Sequence, residues 1–232
     1  MRRSATIVLA AALPLALLAA GCGGKKNAAA STTSTTSSVT TTVATGPKKN
    51  GCVVVTSAPK FGTHNEPKPT VKLDPTKVYL VTMVTNCGSF TFKVDQKQSP
   101  NASASFVTLV QRGFFNGTIF HRIVPGFVIQ GGDPTGTGGG GPGYLTVDTP
   151  PKNAQYTHGV VAMAKTTNQA AGTAGSQFFI VTEPNAGLPP DYAIIGKVVK
   201  GLAVVDRIGK LGDAAQQPTQ TVEVQQATVK TT

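Results

Sequence analysis

A chain of 232 residues with 40% hydrophobic residues can bury a sizeable core, while 26 glycines and 16 prolines favour turns and short strands and exclude an all-helical fold. The formal charge of +11 raises nucleic acid or an anionic surface as a partner. Six of those charges (Arg2, Arg3, Lys25, Lys26, Lys48 and Lys49) precede residue 51 with no acid before Glu66, which leaves +5 on residues 51–232 and no arginine-rich stripe, so no nucleic-acid partner is expected.

Arg2-Arg3 followed by the apolar run Ile7–Ala20 has the charged start and short hydrophobic stretch of a secretory signal over residues 1–21. The run is too short for a transmembrane helix of about 20 residues. It ends Leu18-Ala19-Ala20-Gly21-Cys22, which resembles a bacterial lipobox: small residues admit the peptidase and the Cys22 thiol accepts lipid. Ala19 stands where most lipoboxes have Leu. The expectation is a lipoprotein, palmitate included, held on the extracytoplasmic face of a bacterial membrane; an ordinary signal peptide with an incidental cysteine is the plainer alternative. From Cys22 to Asn50 the chain is Ala, Ser, Thr and Lys with little that could offset ordering entropy, so residues 22–50 read as a disordered linker. As a random coil it spans on the order of 29 Å. Its lysines could hug anionic lipid, and a cell-wall spacer role is equally open.

With Cys22 assigned to lipid, Cys52 and Cys87 remain as a disulfide pair in an oxidising compartment, or as two separate buried thiols. Their spacing fits no zinc pattern, and no metal is expected. Residues 51–76 carry four prolines and little periodicity, an irregular lead-in that Cys52 could pin.

Strand-like runs follow at Val78–Val84 and Ser89–Val94, broken by the hairpin signal Asn86-Cys87-Gly88. Pro100 opens a segment in which Ala102, Phe106, Val107, Leu109 and Val110 recur at helical spacing until Gly113. Further strands are predicted at Thr118–Ile123, Phe127–Gln130, Gly159–Ala164, Ser176–Val181, Ile194–Val198 and Thr221–Val229, with a short helix at Leu202–Ile208. Many short strands, few helices and Gly-rich turns predict a mainly β protein built on a closed or nearly closed barrel.

Gly136–Gly141 satisfies G-x-G-x-x-G, yet Pro142-Gly143 follows where a dinucleotide site needs a helix to open. No phosphate-loop lysine, zinc-protease helix or nucleophile elbow is present either, so no cofactor is implied. The informative stretch is Phe120-His121-Arg122-Ile123-Val124-Pro125-Gly126-Phe127-Val128-Ile129-Gln130-Gly131-Gly132-Asp133. An arginine among strand-like apolar residues is costly unless it faces a ligand or partner. Read alone, Phe127 and Phe179 could be core aromatics, Gln130 a strand amide and Arg122 a surface ion-pair member. Arg122 and Gln130 share parity, but Pro125-Gly126 intervenes, so alternation leaves their relative facing open.

The stretch resembles the signature of the cyclophilins, a family of peptidyl-prolyl cis/trans isomerases. Gly175-Ser176-Gln177-Phe178-Phe179-Ile180 and Gly196-Lys197-Val198 resemble two further signatures, in the family's order, and the likeness runs over about residues 77–229. It implies an isomerase domain over 77–232 with the cyclophilin-like fold: an eight-stranded antiparallel barrel capped by two helices, its site in an outer groove. Arg122 would be the catalytic guanidinium, Phe127, Val128 and Phe179 the proline-pocket floor, and Gln130 a support for the substrate backbone. Ala164, Lys165 and Gln177 would line the groove for flanking residues, and Leu188 would join the pocket. Gly187 stands where many eukaryotic members have Trp, which would remove a wall of the groove, and Tyr192 where they have His, which would change the polarity of the substrate-binding pocket rim. His121 is expected to be structural, since bond rotation transfers no proton. The expected partners are proline-containing polypeptides, bound by a monomer that assists extracytoplasmic folding, with weak cyclosporin binding because the Trp wall is gone. A low-turnover proline-peptide-binding module or holdase is the alternative.

Overall fold

In the computed structural model the described residues are 45–56, 59 and 61–232, all within one compact unit bounded by Thr41 and Thr232. The expected leader, Cys22 and most of the expected linker lie outside them. Ordered structure begins earlier than residue 51. Strands β1 (Lys48–Lys49) and β2 (Cys52–Val53) pair antiparallel across Asn50-Gly51, whose φ values of 51° and 76° make the two-residue turn that Asn-Gly favours. The last residues assigned to the linker are therefore one arm of a hairpin.

Strands β3 (Tyr79–Thr85) and β4 (Gly88–Val94) form the next hairpin around Asn86-Cys87. Their alternation turns Val81, Met83, Phe90 and Phe92 inward, all at most 1% exposed. Cys52 and Cys87 are disulfide-bonded across 35 residues, which ties the first hairpin to the turn of the second. Arg207 Nη1 donates to the Cys87 carbonyl at 2.8 Å and fastens the same corner to the helix at Leu202–Gly209.

Helix α1 (Pro100–Gln111) begins on a proline, whose missing N–H costs nothing in the first turn. It ends at Gly113, which adopts a φ of 73°. Phe106 projects from it into the core against Phe92, Phe115 and Phe178. Strands β5 (Arg122–Val124), β6 (Val128–Gly131), β8 (Val160–Met163), β10 (Phe178–Val181), β11 (Ile194–Lys200) and β12 (Val224–Thr231) complete one antiparallel sheet of eight strands in the order β12-β3-β4-β11-β8-β10-β6-β5. A small pair, β7 (Thr146–Val147) with β9 (Thr173–Ala174), stands apart. Helix α2 (Leu202–Gly209) follows Gly201, which approaches the backbone of Ser89 and Phe90 too closely for any side chain.

The strand expected over Thr118–Ile123 is divided. Only its end pairs with β6, while residues 117–120 close the sheet: Ile119 bridges both Asp133 and Glu223, Gly117 N–H donates to Val224 O at 2.8 Å, and Phe120 N–H to Val222 O at 2.9 Å. The two ends of the sheet thus meet at residues 117–120 and 222–224. Six phenylalanines, 90, 92, 106, 115, 120 and 178, fill the interior.

Candidate active site

The outer face of β5, β6, β10 and β8 carries a second, smaller apolar cluster. Strand alternation sends Ile123, Ile129, Ile180 and Val161 into the barrel and leaves their neighbours outside. The Val124–Val128 hairpin turns at Gly126, φ 68°, so that Arg122 lies directly opposite Gln130. Gln130 pairs with Phe179, and Phe179 with Ala162. One row across four strands therefore reads Arg122, Gln130, Phe179, Ala162, all on the outer face. This resolves the facing that sequence parity left open.

The row is joined by side-chain hydrogen bonds. Arg122 Nη1 donates to Gln130 Oε1 at 3.2 Å, Gln130 Nε2 to Gln177 Oε1 at 3.0 Å, and Gln177 Nε2 to the carbonyls of Gly138 and Gly140 at 2.8 and 3.0 Å. Arg122 Nε donates to Gln216 Oε1 at 2.8 Å, and the Gln216 carbonyl accepts from Ile123 N–H at 3.0 Å. Gln216 is absent from the sequence reading, and nothing in Ala214-Ala215-Gln216-Gln217 signals it: a loop with φ 65° at this residue brings it to the site. Among the described residues the other terminal nitrogen of Arg122 has no partner, which leaves a donor for a ligand.

Beside the arginine, Val128 and Phe179 are buried in the floor, with Phe127, Ala164, Leu188 and Tyr192 packed partly buried around them. The Tyr192 ring meets Phe179 edge-on at 5.4 Å and Tyr156 at 5.9 Å. The Tyr156 hydroxyl accepts from Tyr192 N–H at 2.9 Å and donates to Tyr192 O at 2.8 Å. Burial raises its pKa above that of an ordinary phenol, and the hydrogen bonds offset only part of the rise. Tyr192 is thus a packed part of the floor, not merely a polar rim. Gly187, φ 60°, is exposed beside Leu188, and a side chain built on it would point into open space.

Lys165 is 4% exposed at its side chain, and its Nζ is 2.6 Å from Asp191 Oδ2 and 3.0 Å from the Gln169 carbonyl. Its charge is matched, so it shapes the groove more than it attracts a ligand. A cavity of about 350 Å³ runs from Gln130 and Gln177 past Ala164 and Lys165 to the Gly-rich loop 138–143. That loop is organised by Asp133, whose carboxylate accepts from the Thr135 amide at 2.7 Å, the Thr135 hydroxyl at 2.8 Å and the Gly138 amide at 2.5 Å. Burial pushes the Asp133 pKa up, but these donors outweigh it and the carboxyl sits below its ordinary value. Asp133 closes the quoted motif, yet the sequence reading gave it no role. A larger cavity, about 770 Å³, lies over β4 and β11 and contains none of the expected site residues. Among the described residues no three His, Cys, Asp or Glu side chains gather to hold a metal.

Residues 80–229 match the family model described as cyclophilin type peptidyl-prolyl cis-trans isomerase/CLD. The chain is 41% identical over 133 residues to peptidyl-prolyl cis-trans isomerase-like 1 of Emericella nidulans, covering 56% of this chain and 80% of that one. It is 38% identical over 149 residues to peptidyl-prolyl cis-trans isomerase CYP18-2 of Arabidopsis thaliana, covering 62% and 89%. Among solved structures, a cyclophilin type isomerase of Cryptosporidium parvum aligns with a TM-score of 0.61 at 31% identity, over 66% of this chain and 98% of that one. A crystal structure of the same protein in the presence of the dipeptide Ala-Pro aligns with a TM-score of 0.60 at 32% identity, over 65% and 98%.

Proposed function

This chain belongs to the cyclophilin-type peptidyl-prolyl cis-trans isomerases, and from that premise we propose that it turns over X–Pro bonds of extracytoplasmic polypeptides, assisting their folding from a lipid anchor on Cys22. The observation that carries the catalytic part is the single row Arg122, Gln130, Phe179 on one outer face. An X–Pro amide resists rotation by about 18–20 kcal/mol because its nitrogen shares a lone pair with the carbonyl. A donor that holds that lone pair on nitrogen lowers the barrier.

Arg122 is the group assigned to this. Its guanidinium is always charged, is held in orientation by Gln216 and Gln130, and keeps a donor free. The proline nitrogen accepts a hydrogen bond well only when it is pyramidal, so the interaction favours the twisted state over the planar one. Phe127, Val128 and Phe179 seat the ring, and Gln130 supports the neighbouring backbone. Going from about 0.01 to about 10 turnovers per second requires roughly 4 kcal/mol, within reach of one charge-assisted hydrogen bond in a partly dry site. The rotation calls for no nucleophile and no proton transfer.

The location rests on the lipobox-like end of the leader and on the Cys52–Cys87 disulfide, a bond that persists in oxidising compartments. Two measurements test the proposal. The purified chain should accelerate cis/trans exchange in a proline peptide, and Cys22→Ser should leave the membrane fraction or stall with its leader uncleaved. No acceleration would remove the catalytic reading; identical fractionation and migration of the two forms would remove the anchor.

A further inference from the structure

Residues 61–68 precede the stretch matched by the family model, 80–229, yet they bind one wall of the groove. The Gly62 amide donates to the Pro134 carbonyl at 3.0 Å, the Glu66 amide to Pro142 O at 2.8 Å and Lys68 Nζ to Leu145 O at 2.8 Å. On the other side the segment is fastened to the end of α1. Arg112 Nη1 lies 3.2 Å from the Glu66 carboxylate and donates to Pro67 O at 2.8 Å, while His64 meets Phe114 edge-on at 5.4 Å.

What these residues hold is the part of the wall least able to hold itself. Six of the residues from 136 to 143 are glycine, and Gly136, Gly138 and Gly143 adopt φ values of 68°, 87° and 84°. A run so rich in glycine loses more conformational freedom on ordering than an ordinary sequence of its length. Its groove side is tied by Asp133 and Gln177. Its outer side rests on Phe61, which leaves no room for a side chain on Gly136, and on Asn65, which leaves none on Gly143.

We propose that residues 61–68 are a strap that fixes the loop 134–145 and thereby sets which residues flanking the proline the groove accepts. The inference rests on the isomerase reading above and deepens it. Glu66 and Lys68 act through the loop and never touch substrate, so they are positioning residues. The loop walls the cavity at its far end from Arg122, so the strap governs binding of flanking residues and not the rotation itself.

The test uses the full chain as wild type, Glu66→Pro and Lys68→Ala. Proline at 66 removes both the amide that bonds Pro142 and the carboxylate that bonds Arg112. Two proline peptides are compared, one flanked by glycine and one by a bulky residue. For Glu66→Pro, kcat should stay within about twofold on both, while the ratio of their KM values shifts about fivefold, the size of one lost hydrogen bond. Amide exchange at Gly138–Gly141 should quicken alongside. Lys68→Ala, which loses one contact and no backbone donor, should move the KM ratio in the same direction by less, and it keeps the test decisive if the proline variant folds poorly. A lowered thermal midpoint with an unchanged KM ratio would overturn the proposal, because a merely structural segment would produce that result. A wild-type chain inactive on both peptides would overturn the isomerase reading instead.

Discussion

At the scale of single residues, the site divides into groups that chain order exposes and groups that only folding delivers. Arg122, Phe127 and Gln130 lie within nine residues of one another, and their assignment came from the resemblance of residues 120–133 to the family signature, since an arginine in an apolar strand context demands a reason but leaves a surface ion pair open. Gln216, 94 residues from Arg122, was not legible, since an unremarkable loop carries it to the guanidinium. Arg122→Ala should lower turnover at least about tenfold while ground-state peptide binding and stability hardly change, because the proposed bond forms mainly in the twisted state. Arg122→Lys should rescue poorly, since an ammonium cannot span Gln216, Gln130 and a ligand with one planar fork. Unchanged turnover in Arg122→Ala would remove the assignment. His121 beside it is a different case. Both ring nitrogens are buried without a partner, and burial lowers its pKa against the opposing pull of Asp133, with Arg122 adding to the depression. The unfolded chain then binds more protons than the folded one below about pH 6.5, so stability falls as pH drops from there toward the folded-state value. His121→Gln should flatten that part of the thermal-midpoint profile; parallel wild-type and variant curves would show that the ring is not the sensor.

At the scale of elements, period-two runs located the long strands, but they could not place β7 and β9, two residues each, or foresee that Thr118–Ile123 would be shared between a ladder and a seam. Asn50-Gly51 was a readable hairpin signal, masked by the Lys-Ser-Thr composition around it. The loop between β10 and β11 shows what a residue-by-residue likeness omits. Gly187 is not only smaller than the indole expected there; its φ of 60° belongs to a region that L side chains rarely adopt. Gly187→Trp should therefore destabilise the fold by about 1 kcal/mol. That strain is present with and without a ligand, so it cancels from affinity. About 60 Å² of regained apolar contact at about 25 cal/mol per Å² is worth roughly 1.5 kcal/mol, or about tenfold. The wild-type chain should accordingly bind cyclosporin weakly, and Gly187→Trp should tighten it about tenfold with turnover on a short peptide little changed. Calorimetric titration of both forms decides it, and nanomolar binding by the wild type would mean that this wall matters less than argued.

At the scale of the whole molecule, strand count and class were readable, but strand order was not, because hydrophobic period says which face of a strand is buried and never which strand lies beside it. The closure illustrates the gap. Residues 117–120 pair with 222–224 across about a hundred positions of sequence, and this contact turns an open sheet into a barrel. Phe120 sits on that seam with no exposed surface, its amide bonded to Val222 and its ring against Phe90 and Phe178 at 6.4 and 5.9 Å. Two residues on, Arg122 faces outward and supports nothing in the core. The pair therefore separates folding from chemistry within three residues of sequence. Phe120→Ala should cost about 3–5 kcal/mol, a large share of the roughly 5–15 kcal/mol that a domain of this size has in hand. Because the seam joins both sheet edges, the loss should fall on the barrel as a unit: one cooperative transition at lower denaturant with an unchanged slope. The chain contains no tryptophan, so circular dichroism is the suitable probe. Two separated transitions, or a loss below about 1 kcal/mol, would show that the barrel stands without its seam.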